Sequence, residues 1–349
     1  MFKKWITISF AATLLLSGCS KEKVEVGEHK EKKVEEETVK EEVIEIAEDP
    51  FHYPLTGIGS EKEIEGRAFA VMINNFPQAR PQSGIQKADV VYELLAEGNV
   101  TRFLAIFQSE TGENIGPVRS ARDYFIDLAK GYDALYIAHG YSPEAKKMLQ
   151  NGTIDNLNGM QYDGSLFKRA SFRKAPHNSY ITFDNVQKGA KQVGYNMDEE
   201  PKTLTFLTDE EVEQLTGSEA KKAFVTYSSD QQFNVQYEYD ETLKKYKRYS
   251  NGDLTADYDT KDPVLLDNVF VVETSHKIID DKGRRNIDLT SGGKGYLLQR
   301  GKWNEVEWKS VDGRILPFKN NEEVGLVPGK TWINVIPTNP GLEKIVTFN

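Results

Sequence analysis

The sequence predicts an α/β (or α+β) N-terminal domain followed by a mostly antiparallel β C-terminal domain, both carried behind a signal segment and a charged tether. Three observations lead there. Between residues 51 and 204, short continuous apolar runs of strand length alternate with segments of helical period, the rhythm of an α/β unit. From residue 205 onward the hydrophobic period becomes two and turn residues recur at short intervals, as in a hairpin-built sheet. Residues 20–50 replace any core pattern with a Lys, Glu and Val tract, which buries too little apolar surface to offset the entropy of ordering.

Residues 1–19 read as a processing segment. Lys3 and Lys4 make a positive n-region, Trp5–Leu16 is apolar but short for a spanning helix, and Leu16-Ser17-Gly18-Cys19 looks like a bacterial lipobox. Cys19 is the only cysteine of the 349 residues, so no disulfide is expected and no thiol remains for nucleophilic or metal work. Lipidation of Cys19, for example with palmitate, anchors a polar chain to a membrane without spanning it. The tether that follows accounts for −6 of the formal net charge of −10. Its contour is at most about 100 Å and its coil dimension about 30 Å. The remaining chain is still acidic, which argues against nucleic acid as a partner.

In the first domain, Ala68–Ile73 is a strand covered on both faces that stops at Asn74-Asn75-Phe76-Pro77. Ala88–Leu95 and Arg102–Phe107 form a hairpin about Gly98-Asn99. Gly116–Tyr124 opens a helix with Ser120 as N-cap, Asp123 completing the box, and Ala121, Phe125, Leu128 and Tyr132 on the buried face. Asp133–Ala138 is the next strand, and Ser142-Pro143 start a second helix. A polar loop spans Arg169–Tyr180, before a helix over Asn185–Gln192. In the second domain the strands fall at Phe224–Tyr227, Phe233–Tyr239, Tyr246–Tyr249, Asn268–Thr274, Lys294–Gln299, Trp303–Trp308 and Thr331–Ile336. They make a sandwich or open barrel in which Trp303, Trp308 and Trp332 serve as core aromatics.

The chemistry-bearing residues gather in the first domain. Arg119 and Arg122 stand at a helix entry that already carries partial positive charge. Either they pair with Asp123 and Asp127, or they await an anion or carboxylate. Asn74, Arg80, Arg102, Arg119, Arg122 and Asn178 are the candidate ligand-binding residues. Glu93, Glu97, His139 and His177 are the parts from which acid–base chemistry is built. Glu93 and Glu97 share a face if they share a strand. Asn74, Asn75 and His139 follow strand carboxyl ends, where open α/β sheets place ligands. No nucleophile elbow, zinc-protease helix, phosphate loop or calcium loop is present. No cofactor is called for, and the histidines lack metal-ligand spacing.

Several stretches resemble one family. R-A-F-A-V-M-I-N-N (67–75), A-R-P-Q-S-G (79–84), A-D-V-V-Y-E (88–93), E-G-N-V-T-R-F (97–103), I-G-P-V-R-S-A-R-D-Y-F (115–125), A-P-H-N-S-Y (175–180), G-K-G-Y-L-L-Q-R-G-K-W (293–303) and P-G-K-T-W-I-N-V-I-P (328–337) are similar to the YerB-like bacterial lipoproteins. The resemblance implies a domain of unknown function followed by its own C-terminal partner domain, in a surface lipoprotein found mostly in Gram-positive bacteria. It supplies no reaction, cofactor or catalytic residue. The chain departs from the family pattern at Asn74-Asn75, where Asp-Asn is expected. The expected function is a non-catalytic binding or scaffold module on the outer side of the cell membrane, in contact with the wall or with a membrane-associated envelope protein. The alternative is an envelope hydrolase or lyase working through Glu and His.

Overall fold

The computed structural model describes residues 49–349; Cys19, the signal segment and nearly all of the tether lie outside the described residues. Phe69–Asn74, Val90–Leu95 and Thr101–Phe107 are buried at every position, as continuous apolar runs require when both faces are covered. They form the middle of a 12-stranded sheet. Thr101–Phe107 lies antiparallel between the other two, and Leu135–Ala138 and Asn156–Asn158 extend the sheet in parallel beyond Phe69–Asn74. The described chain is mostly strand with few helices.

The expected division at 204/205 does not separate two sheets. Thr331–Pro337, near the C-terminus, lies between Val90–Leu95 and Asn268–Thr274 and runs parallel to both. Gly293–Gln299, Lys302–Val311 and Arg314–Lys319 then continue the same sheet in antiparallel fashion. The expectation is of a mostly antiparallel sheet, and Thr331–Pro337 is a parallel strand within it. Thr331–Ile336 is buried throughout, so it needs cover on both faces and takes a central place.

A second, 6-stranded sheet is antiparallel and alternates in burial. In Lys245–Ser250 the buried residues are Tyr246, Arg248 and Ser250. Its inner side chains Val225, Val235, Tyr237 and Tyr246 join the core of Phe69, Val71, Val91, Phe103 and Trp332 on one face of the large sheet. The opposite face is covered by the helix Asp123–Lys130, whose Phe125, Ile126 and Leu128 pack with Met72, Tyr92 and Leu104, and by Trp308 and Ile315 from the sheet's far arm. Trp308 and Trp332 are core residues as expected, and Trp303 stacks on Phe348.

The first helix begins at Asp123, with Arg122 at the N-cap and no side-chain cap. Ser120 donates its hydroxyl to the His139 carbonyl instead. The expected capping role of Ser120 fails because the backbone of 118–121 is already engaged: Arg119 N–H bonds the Met72 carbonyl, and Ala121 N–H bonds that of Gly140. The second helix follows expectation. Pro143–Gln150 is capped by Ser142, which accepts from Ala145 N–H.

One ion pair joins the two sheets. Arg248 donates from Nη2 to both oxygens of Glu93, at 3.1 and 2.9 Å, with the side chains 1% and 0% exposed. Two charges taken out of water are tolerable only when paired and hydrogen-bonded, and removal of one strands the other. Glu93→Ala and Arg248→Ala should each cost about 3–5 kcal/mol of unfolding free energy. Urea denaturation followed by tryptophan fluorescence reads this; a loss of only a few tenths would show that the pair does not hold the sheets together.

Candidate functional site

Residues 115–121 run across the carboxyl ends of two parallel strands. Val118 bridges Ile73, and the His139 N–H bonds the Arg119 carbonyl at 3.0 Å. This backbone placement sets Arg119 beside the ends of Phe69–Asn74 and Leu135–Ala138. Next to it, the register pairs Asn74 with Arg102. Gly140 takes the left-handed conformation (φ +96°), and a Cβ there would lie 2.6 Å from Ser120 Oγ, so the close turn depends on glycine.

Three arginines face one carboxylate. Arg102 Nη2 donates to Glu97 Oε2 at 2.7 Å and Nη1 to the Ser120 carbonyl at 2.8 Å. Arg122 Nε donates to Glu97 Oε1 at 2.7 Å, its Nη2 reaches the same oxygen, and Nη1 bonds the Ala121 carbonyl. Burial works to raise the Glu97 pKa, but the charges of Arg102 and Arg122 overcome it and hold the carboxyl below its ordinary range. Burial and the neighbouring Arg122 bring Arg102 down to about 10, still charged at neutral pH. Arg119 is half-buried, and among the described residues its guanidinium makes no hydrogen bond or ion pair. Burial lowers its pKa, with Glu97 opposing and Arg122 assisting. Neither Arg119 nor Arg122 pairs with Asp123 or Asp127, so the bland expectation fails at this helix. Arg122 is spent on Glu97, and Arg119 is left over.

Both histidines border this cluster. Asn74 Nδ2 meets His177 Nδ1 at 2.8 Å, and the imidazole stacks on Phe76. His139 Nδ1 meets Ser179 Oγ at 2.7 Å, and its Nε2 lies 2.9 Å from Arg169 Nη2. Arg169 also donates to Asp163 and, at 3.2 Å, to Asn178 Oδ1. Ser179, His139, Arg169 and Asp163 thus fall in sequence, with the arginine between the histidine and the aspartate, and Ser179 is 1% exposed, which closes its hydroxyl to a substrate. Gly159 packs so tightly on the His139 ring that a Cβ would overlap it. Burial lowers the pKa of both histidines, with Arg169 adding to the effect at His139 and Arg119 at His177.

The remaining candidates fall elsewhere. Glu93 and Glu97 lie on opposite faces of the sheet, because the strand ends at Leu95 and the chain reverses where Ala96 N–H bonds the Val100 carbonyl. Glu93 accepts from Arg248, from Trp332 Nε1 at 3.0 Å, from Thr101 Oγ1 at 2.8 Å and from Asn75 Nδ2 at 3.3 Å. It is a buried structural carboxylate without access to solvent. Arg80 also leaves the cluster and bonds Asn75 and the Gln232 carbonyl. Among the described residues, no three His, Cys, Asp or Glu side chains gather to hold a metal ion. Arg169, Ser179 and Arg248 were missed in the sequence. Arg248 carried a readable signal, as a charge at an inward position of a period-two strand between Tyr246 and Ser250.

The family models that match this chain are the N-terminal domain of the protein of unknown function DUF3048 over residues 55–196 and its C-terminal domain over residues 223–333. The chain belongs to the DUF3048 family. A curated Bacillus subtilis (strain 168) relative, "Putative lipoprotein YerB", is 50% identical over 286 residues, covering 81% of this chain and 86% of its own. A crystal structure of YerB protein from Bacillus subtilis has a TM-score of 0.79 at 47% identity, covering 86% of this chain and 99% of that one. Among the described residues no helix is long and apolar enough to cross a membrane.

The histidine environment has a pH consequence. A depressed histidine pKa means that the unfolded chain binds a proton the native protein refuses, so stability is lost as pH falls below the unfolded value near 6.5. His276, buried beside Arg285, follows the same sign and is pulled down to about 3. The urea midpoint should therefore fall between about pH 7 and about pH 5, above the carboxylate range. Imidazole NMR titrations of His139 and His177 should show midpoints below 6.5; midpoints at or above that value would mean open, solvated rings.

Proposed function

We propose that this chain is a membrane-anchored envelope lipoprotein that acts as a non-catalytic binding module, recognising an anion in the crevice around Arg119. The lipobox-like Leu16-Ser17-Gly18-Cys19 and the lipoprotein name of the Bacillus subtilis relative support the anchor. The acidic charge of residues 20–49 repels an anionic membrane surface, which suits contact with the cell wall or with a membrane-associated envelope protein.

The single observation behind the binding role is the unspent guanidinium of Arg119. Arg102 and Arg122 already saturate Glu97, so the cluster carries an excess of positive charge in a half-buried place. Such a charge is favourable when a ligand carboxylate or phosphate completes it. Asn74, His177 and Asn178 supply neutral polar groups at the same strand ends. Weighing against the hydrolase or lyase reading, Glu93 is sealed behind Arg248 and Trp332, and Arg102 and Arg122 hold the Glu97 carboxyl below its ordinary range, which suits neither to act as the acid.

Retention on purified cell-wall sacculi tests this. The protein should co-sediment with sacculi, and Arg119→Gln should lose about tenfold or more of that affinity with an unchanged melting temperature. Equal retention of the variant would remove the crevice from the argument. Soluble wall fragments whose release depends on His139 would instead make the protein an enzyme.

A further inference from the structure

Asn74 and Asn75 point to opposite sides of the same strand end, as successive residues do. Asn74 meets the Arg119 side. Asn75 opens onto a separate cavity of about 310 Å³ between the 77–82 loop and the strand Lys245–Ser250. Two arginines line it. Arg80 donates once from each of its three nitrogens, to Asn75 Oδ1, the Asn75 carbonyl and the Gln232 carbonyl. All three acceptors are neutral, and each Nη keeps a second N–H. No carboxylate lies within ion-pair distance of Arg80 among the described residues. Arg248 reaches the same cavity from the buried ion pair, and its Nε has no acceptor although it is sealed from solvent.

Of the buried carboxylates nearby, Glu93 pairs with Arg248 and not with Arg80, and Asp257 pairs with neither. Burial and then the Arg248 charge pull Arg80 down to about 10, so it stays charged at neutral pH while under-compensated. The remaining lining is mixed: Pro77, Pro81, Leu254 and Ala256 are apolar, and Ser250 and Thr255 offer hydroxyls. Asp257, also in the lining, is spent on the N–H groups of Gly84, Asp259 and Thr260. Asp253 stands at the exposed rim, where it disfavours a compact, highly charged anion and tolerates a ligand that carries an amine behind its carboxylate.

We infer that this cavity is a second ligand site, one that receives the carboxylate of a small, partly apolar molecule such as the C-terminus of a short peptide on Arg80, with Arg248 as the charge behind it. It holds whether or not the Arg119 crevice binds anything, since the two share no side chain. Arg80 is a ligand contact; Arg248 is a positioning residue committed to Glu93.

The test is calorimetric titration of the protein with the tripeptide Ala-Ala-Ala and with its C-terminal amide. The free acid should bind saturably at millimolar concentration or below, and the amide about tenfold or more weaker. Arg80→Gln should weaken the acid to the level of the amide, while Arg119→Gln leaves it unchanged. Should Arg80→Gln melt early, Arg80→Lys keeps the charge but loses the planar fork, and a several-fold loss is expected there too. Equal binding of acid and amide, full binding by the Arg80 variants, no saturation, or loss on Arg119→Gln alone would each overturn the inference.

Discussion

The contact between Glu93 and Arg248 is what allows two segments 155 residues apart to share one interior. Each charge is buried, and neither is tolerable without the other. The carboxylate accepts from four side chains on four segments, so its position is over-determined. The guanidinium is flanked by Phe103 and Trp332, at 5.1 and 4.6 Å from the ring centroids, which adds cation–π attraction in a dry place. Around it, Asn334 links Tyr227 and Tyr237, each by a hydrogen bond. A polar network this deep specifies one alignment of the two sheets, because a shifted register would leave several buried groups unpaired.

That constraint explains where the open polar groups end up. Since Glu93 is consumed inside, the arginines at the strand ends divide between Glu97 on one side and neutral acceptors on the other. Among the described residues each side is left with one guanidinium that makes no ion pair, Arg119 beside the strand ends and Arg80 in the cavity. Asn74 and Asn75 are the divide: one braces His177, and the other ties Arg80 to the Glu93 network. Asn74 fits this arrangement, since its neutral amide bonds a histidine ring and leaves the positive charge of Arg119 unmatched.

Legibility in the sequence followed the range of the interaction. Strands over 69–74 and 101–107 were readable because apolar runs report burial on both faces, and the strand over 90–95 because Val90, Val91 and Tyr92 favour extended backbone. The helix entry at Ser120 misled, because its local capping signal was outbid by pairing with strands distant in sequence. The face shared by Glu93 and Glu97 was lost to a single turn, since period two holds only as far as the strand does. Arg102, Arg119, Arg122, Asn74 and His177 do gather at neighbouring strand ends, but which of them pair with a carboxylate and which do not is written in no local pattern.

By itself the sequence determined the core strands and the arginine-bearing stretch at 115–125, while the processing signal and tether it suggests lie outside the described residues. These are decided by composition and by contacts a few residues apart. Only the tertiary structure decided that both halves build one sheet, that Glu93 is a buried structural charge, and that Arg119 and Arg80 make no ion pair among the described residues. The reason is physical: an ion pair is specified by two residues brought together across 155 positions, and no local pattern in either strand records its partner.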